Sequence, residues 1–309
     1  MRWRFAVATV AAISGAVAAI TPTQAQQSSL WTACSSETLP PDAAIEACTK
    51  IIQSGRETQQ NLAIAYVNRG GAYDQNGDTD RAIADFSKAI ELDSGNAAAY
   101  YNRGTVYAKK GDLDRAIADF TKALELGPKD AEVYDNRGTA YVKKGDYDRA
   151  ITDYTKGIEL DPKDADAYYN RGLTYDHKGD YDRAIADYTK VIELDPKYVD
   201  AYDSRCWARA SSGQPALALT DCDAALRLKP DDTYALDSRG FAYYLLARYD
   251  EALADYDAAL KLDPKLARSL YGRGMIKLKK GDTTGDADIA AAKEIRPDIA
   301  DKMARYGMK

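Results

Sequence analysis

The stretch Ala131–Asp164, AEVYDNRGTAYVKKGDYDRAITDYTKGIELDPKD, decides the fold, because its pattern returns every 34 residues along the chain. Aligned on their NRG and DY landmarks, the copies begin at Ala63, Ala97, Ala131, Ala165, Val199, Thr233 and Ala267, the last one residue short. Within the unit, Tyr134, Gly138 and Tyr141 fall at helical spacing, and Tyr147, Ala150, Ile151, Tyr154 and Ile158 do the same. Gly145 separates the two runs and suits the left-handed conformation that closes a helix, while Asp146 is placed to cap the next one. Pro162 stops the second helix, and Asp164 is placed to cap the first helix of the following unit.

A hairpin this small cannot bury its own apolar stripe, so successive copies must stack. A fixed period whose aromatic, glycine, tyrosine, alanine, aromatic and proline places hold Tyr134, Gly138, Tyr141, Ala150, Tyr154 and Pro162 resembles the tetratricopeptide repeat. The resemblance covers about three quarters of the chain. It implies an all-α fold, an α-solenoid wound as a right-handed superhelix of seven helix-turn-helix repeats at 63–96, 97–130, 131–164, 165–198, 199–232, 233–266 and 267–300. Residues 26–62, with a partial repeat DAAIEACTKII at 42–52, and residues 301–309 are expected to cap the two ends. The main departure from the family is that the leucine usual before the glycine is Arg137, and every unit repeats the exchange.

The chain opens with MRWR, an apolar run from Phe5 to Ile20 and a small-residue exit at Thr23, Gln24 and Ala25, which reads as a secretory signal peptide, 1–25, cleaved after Ala25. The run has about 16 apolar residues where a retained anchor needs about 20. No cysteine stands directly after the cleavage point, where Gln26 is found, which argues against a lipoprotein. The mature chain then carries 40 basic and 48 acidic residues, a net charge of −8 that disfavours nucleic acid as a partner. A periplasmic or secreted location follows.

Such a location lets the four cysteines be read as disulfides. Cys34 and Cys48 flank the Pro40-Pro41 turn, and a bond between them would tie the entry segment to the cap helix. In the fifth repeat Cys206 takes the glycine place and Cys222 the second aromatic place, two places that face each other in the hairpin. Four cysteines allow three pairings; the local one is expected, with buried thiols as the alternative.

Arg69, Arg103, Arg137, Arg171, Arg205, Arg239 and Arg273 share one place, and Asp85, Asp119, Asp153, Asp187, Asp221, Asp255 and Asp288 share another, both inside apolar stripes. An unpartnered charge in a core is costly, so recurrence together implies pairing, within a repeat or between neighbours. The other reading, a row of arginines gripping an anionic ligand, would require the aspartates to leave the guanidinium groups free.

No catalytic, cofactor or metal constellation emerges. His177 is the single histidine, no cysteine or aspartate cluster with ligand spacing surrounds it, and no phosphate loop, nucleophile elbow or HExxH is present. The reading is therefore a non-catalytic protein-binding scaffold. The resemblance implies that a partner lies in a concave groove lined by the second, fifth, ninth, twelfth and thirteenth places of each repeat. These include Tyr101, Glu132, Asp135, Asp166, Tyr169, Asp176, Asp200, Asp203, Trp207, Tyr234, Asp237 and Phe241, with Lys109, Lys143, His177 and Lys279 along one edge and Arg268 in the last repeat. Acidic and aromatic lining calls for an extended, basic protein or peptide segment with a few apolar anchors. The family's carboxylate clamp lacks its lysines here. A glycan-binding module in polysaccharide assembly or export is the alternative, since exposed tyrosines can stack on sugar rings. The cysteine reading makes a direct prediction: thiol titration of the denatured, unreduced exported protein finds no free cysteine, and two or more per chain would refute it.

Overall fold

The computed structural model describes residues 22–309. The apolar run of the expected signal peptide lies outside the described residues, and the expected cut after Ala25 falls at the start of the first helix. Among the described residues the chain forms seventeen helices and no strand. It divides into two compact units, one ending at Pro162 and one beginning at Lys163.

In the first unit a short hairpin, α1 (Pro22–Cys34) and α2 (Pro41–Gln53), precedes three repeats: α3 (Gln59–Gln75) with α4 (Thr79–Leu92), α5 (Ala97–Lys110) with α6 (Leu113–Leu126), and α7 (Ala131–Lys143) with α8 (Tyr147–Leu160). The second unit holds four repeats: α9 (Ala165–His177) with α10 (Tyr181–Leu194), α11 (Val199–Ser211) with α12 (Pro215–Leu228), α13 (Thr233–Leu245) with α14 (Tyr249–Leu262), and α15 (Ala267–Lys279) with α16 (Gly285–Ile295). A last helix, α17 (Ile299–Arg305), follows. The N-terminal cap is thus a complete hairpin, joined by a Cys34–Cys48 disulfide, where the sequence pattern indicated only its second helix.

Local chemistry explains the punctuation. Gly145 sits at φ +78°, and the Asp146 side chain accepts from the backbone N–H of Arg149. The Arg149 guanidinium folds back onto the same carboxylate, with Nε 2.5 Å from Oδ2, and lies 4.6 Å from the Tyr141 ring centroid. Asp164 caps the next helix by accepting from the N–H groups of Asp166 and Ala167. In the sixth repeat the turn glycine is replaced by Ala247, which holds φ +58°, a conformation that costs a residue with a Cβ about 1 kcal/mol.

The small residue before each second helix's ring is a packing requirement. A Cβ on Gly138 would stand 3.0 Å from the Tyr154 ring, and one on Gly104 equally close to Phe120. The fifth repeat replaces this contact with a Cys206–Cys222 disulfide. The seventh, one residue shorter, brings the backbones themselves together: a Cβ on Gly274 would meet the Gly285 carbonyl at 2.7 Å.

Every arginine of the recurring row pairs with the aspartate of its own repeat. Arg137 donates from Nε to Asp153 Oδ2 at 2.8 Å and from Nη2 to Oδ1 at 2.7 Å, and the other six repeats show the same bidentate fork. In Arg69, Arg103, Arg137, Arg205, Arg239 and Arg273 the remaining nitrogen reaches back to the preceding second helix, as in Arg137 Nη1 to Thr121 Oγ1 at 2.9 Å and Arg103 Nη1 to Ser87 Oγ at 3.0 Å. Burial works against the charge on Arg137, but the Asp153 carboxylate outweighs it and raises the guanidinium pKa above its ordinary value.

First helices approach one another from repeat to repeat, α3 with α5 and α5 with α7 in the first unit, and α9 with α11, α11 with α13 and α13 with α15 in the second. Among the described residues of each unit, second helices make no such approach to each other. First helices therefore form the tighter, inner row of each unit. Arg137→Ala strands the buried Asp153 carboxylate and is expected to lower stability by about 3 kcal/mol or more, whereas Arg137→Leu with Asp153→Leu recovers much of that loss, as denaturant unfolding of both variants will measure.

Candidate functional site

The inner row of the second unit carries an open cavity of about 780 Å³, walled by first helices on one side and by the C-terminal tail on the other. Of the residues expected to line a groove, Asp176, Asp203, Trp207 and Tyr234 meet there, together with His177 at the mouth. Asp166 and Asp200 are exposed on the same row outside the cavity. Tyr169 is half-buried: its hydroxyl lies 3.3 Å from Ser204 Oγ and its ring 5.1 Å from that of Tyr198, whose own hydroxyl donates to Asp166 at 2.8 Å. In the first unit Glu132 and Asp135 are half-buried, and Asp135 is packed so closely that its Oδ1 would stand 2.4 Å from a Cβ on Gly157.

Three expected groove residues are not open to a partner. Tyr101, Asp237 and Phe241 are 6%, 1% and 1% exposed. For Tyr101 and Asp237 the physical reason lies in the approach of successive first helices, which turns the fifth place of one repeat into the junction with the next, while Phe241, at the ninth place, is covered by Trp207 and Tyr306. The Tyr101 hydroxyl accepts from Asn136 Nδ2 at 3.0 Å, and Asp237 accepts from Ser269 Oγ at 2.5 Å. The basic edge is also engaged in part: Lys109 pairs with Asp74 at 2.5 Å, and Lys279 stands 5.9 Å from the Tyr244 ring centroid. Lys143 is exposed.

At the cavity's core, Arg268 joins charge to aromatic surface. Its Nη2 is 2.7 Å from Asp237 Oδ2, an ionic contact off the hydrogen-bond axis, and its guanidinium carbon is 4.3 Å from the Trp207 ring centroid. Trp207 continues into Phe241 at 5.1 Å. Asp203 has its Oδ1 buried with no hydrogen-bond partner. Although the residue as a whole is half-buried, the carboxylate is its buried end, and burial pushes the pKa up to about 7 against the pull of Ser238 and Arg268. Burial likewise raises Asp176 to about 6, with Arg268 and Lys302 opposing.

The tail supplies what the repeat pattern left out. Helix α17 turns back along the inner row, so the expected C-terminal cap covers the core from the first-helix side, with Ile299 and Met308 0% and Met303 1% exposed. The Tyr306 ring stands edge-on to Trp207 at 5.2 Å, to Phe241 at 6.4 Å and to Tyr181 at 6.4 Å. A signal was present: Ile299, Met303 and Tyr306 repeat at helical spacing where only an end cap was expected. Among the described residues no group of three or more His, Cys, Asp or Glu is placed to hold a metal ion, and no helix is long and apolar enough to cross a membrane.

Models of the tetratricopeptide repeat match residues 67–131, 120–152, 138–176, 165–198 and 246–281, together more than half of the chain. The chain belongs to the tetratricopeptide repeat family. Among solved structures it is similar to YrrB, described as a tetratricopeptide repeat protein with an unusual peptide-binding site, at 31% identity over 63% of this chain and 99% of that one, with a TM-score of 0.57. It is similar to MamA at 31% identity over 52% of this chain and 94% of that one, with a TM-score of 0.51. A tetratricopeptide repeat protein from Parabacteroides merdae, 22% identical over 79% of this chain and 98% of that one with a TM-score of 0.64, shares the fold. A search of the curated proteins finds no match.

The carboxylate at Asp203 gives the site a pH signature. Between the ordinary aspartate value of 3.8 and about 7 the folded chain keeps a proton that the unfolded chain has released, so this group's contribution to stability declines as pH rises through that window. Asp203→Asn is expected to raise stability at pH 8 by on the order of 1–3 kcal/mol, a few degrees in Tm, and to leave it unchanged near pH 4, which thermal melts at the two pH values will test.

Proposed function

We propose that the chain is a non-catalytic, exported scaffold that holds a basic, apolar-anchored segment of a partner protein against the inner row of its repeats. The observation that carries this reading is the cavity of the second unit, where the half-buried Trp207, stacked by Arg268, and the exposed Tyr234 adjoin the desolvated carboxylates of Asp176 and Asp203. Aromatic surface beside buried acid suits a peptide that offers an apolar anchor and a cation close together. The likeness to YrrB, a protein described as having a peptide-binding site, supports a peptide over other ligands. Asp166 and Asp200, exposed on the same row, add a field that draws a basic segment in.

Export rests on the N-terminal apolar pattern and on the two disulfides, which are stable in the periplasm or outside the cell. Absence of catalysis rests on the recurring carboxylates, which are spent in arginine pairs. The glycan alternative needs open rings. Tyr101 and Phe241 are buried and Trp207 is covered by Arg268 and Tyr306, which leaves Tyr234, 59% exposed.

Crosslinking of the full chain in the cell envelope, followed by mass spectrometry, should return a protein carrying a basic segment, and its affinity should fall severalfold from low to physiological salt. Asp166→Asn with Asp200→Asn alters exposed side chains only, so circular dichroism stays unchanged while capture weakens. Undiminished capture by this folded variant at low salt would reduce the acidic row to a solvated surface.

A further inference from the structure

The segment Ile299–Lys309, IADKMARYGMK, has the chemistry that the inner row asks of a partner. It carries Lys302, Arg305 and Lys309 against a single acid, Asp301, and four apolar anchors, Ile299, Met303, Tyr306 and Met308. Its placement is that of an occupant. Tyr306 fills the angle between Trp207, Phe241 and Tyr181, Lys302 stands close enough to Asp176 to favour its charged form, and the Lys309 carbonyl accepts from the Tyr244 hydroxyl at 3.1 Å. The segment is closed by Gly307 at φ +89° and by the Met308 N–H on the Met303 carbonyl at 3.1 Å.

Occupation is incomplete. The cavity of about 780 Å³ remains beside the tail, and Asp203, one of its lining residues, keeps a buried Oδ1 with no hydrogen-bond partner. Resting on the scaffold reading above, we propose that the tail is a resident ligand of the inner row, and that the true partner displaces it with a segment carrying an aromatic residue for the Tyr306 place and a lysine or arginine that reaches Asp203. The tail then sets a threshold: a segment with only the aromatic anchor gains little over the resident ring, whereas one that also meets Asp203 makes an interaction the tail does not. Occupancy of the competent state by the tail lowers the apparent affinity of every weak competitor by the same factor.

The full chain allows a direct test with a synthetic peptide of residues 298–309 as the probe. Tyr306→Ala removes one half-buried ring and vacates its place. By calorimetry the peptide should bind the Tyr306→Ala chain at least tenfold more tightly than the parent, Tyr306→Phe should restore the parent's weak binding, and a peptide with its own Tyr306→Ala should lose the gain. Equal affinity for parent and variant, or binding to neither, overturns the proposal. Hydrogen exchange on the unmodified chain gives an independent reading: the Tyr306 and Met308 amides should open at a lower free energy than those of α13, and exchange only with global unfolding would make the tail a permanent cap. A failed peptide experiment with intact envelope capture defeats the resident tail alone; peptide binding without any captured partner defeats the scaffold reading alone.

Discussion

One guanidinium per repeat holds the structure together in two directions. Its fork grips the aspartate of its own hairpin, and at Arg69, Arg103, Arg137, Arg205, Arg239 and Arg273 its third nitrogen reaches back to the preceding second helix, as Arg137 does with Asp153 and Thr121. A buried charge leaves few alternatives: each arginine has to find both partners, so hairpin closure and stacking on the previous repeat are satisfied by one geometry or by neither. An apolar residue at this place would pack as well but would accept many neighbouring arrangements. At the C-terminal end Asp223 and Asp257 replace the hydroxyls, making the backward contacts of Arg239 and Arg273 ionic.

The site follows from the close row of first helices that these pairs enforce. Fifth-place side chains are driven into the junction with the next repeat, where Tyr101 finds Asn136, Tyr169 finds Ser204 and Asp237 finds Ser269 and Arg268. Asp203 enters the same kind of junction but keeps one carboxylate oxygen unmet. Its unsatisfied oxygen and the stacked Arg268 are neighbours because regular packing has brought an irregular set of side chains together.

The repeat was legible because its signals agree: helical spacing, a turn glycine, an aspartate cap and a proline stop all recur in one register. The arginine pairs were legible as pairs, since seven charges inside apolar stripes demand partners, but not as intra-repeat forks, because one period separates equivalent residues and the choice of neighbour lies in the packing. The cavity was legible in part. Position within the repeat named Asp176, Asp203, Trp207 and Tyr234, which line one cavity, yet could not see that Tyr101, Asp237 and Phe241 are buried. The tail lay beyond the period altogether, where only the spacing of Ile299, Met303 and Tyr306 hinted at an apolar face with somewhere to go.

The fifth repeat hands the role of an aromatic ring to a covalent bond, with consequences for the order in which the molecule matures. In the repeats that keep the ring, glycine and ring pack as soon as the hairpin closes. In this hairpin two thiols stand where a ring's volume would be, and they tighten only when an oxidant removes their hydrogens. Cys206 adjoins Trp207, which packs on the same core, so a reduced chain would lack this bond directly behind the aromatic wall of the cavity. In the scaffold reading proposed above, oxidation of this hairpin would complete the wall against which a partner rests, so that recognition and export would be linked through one bond.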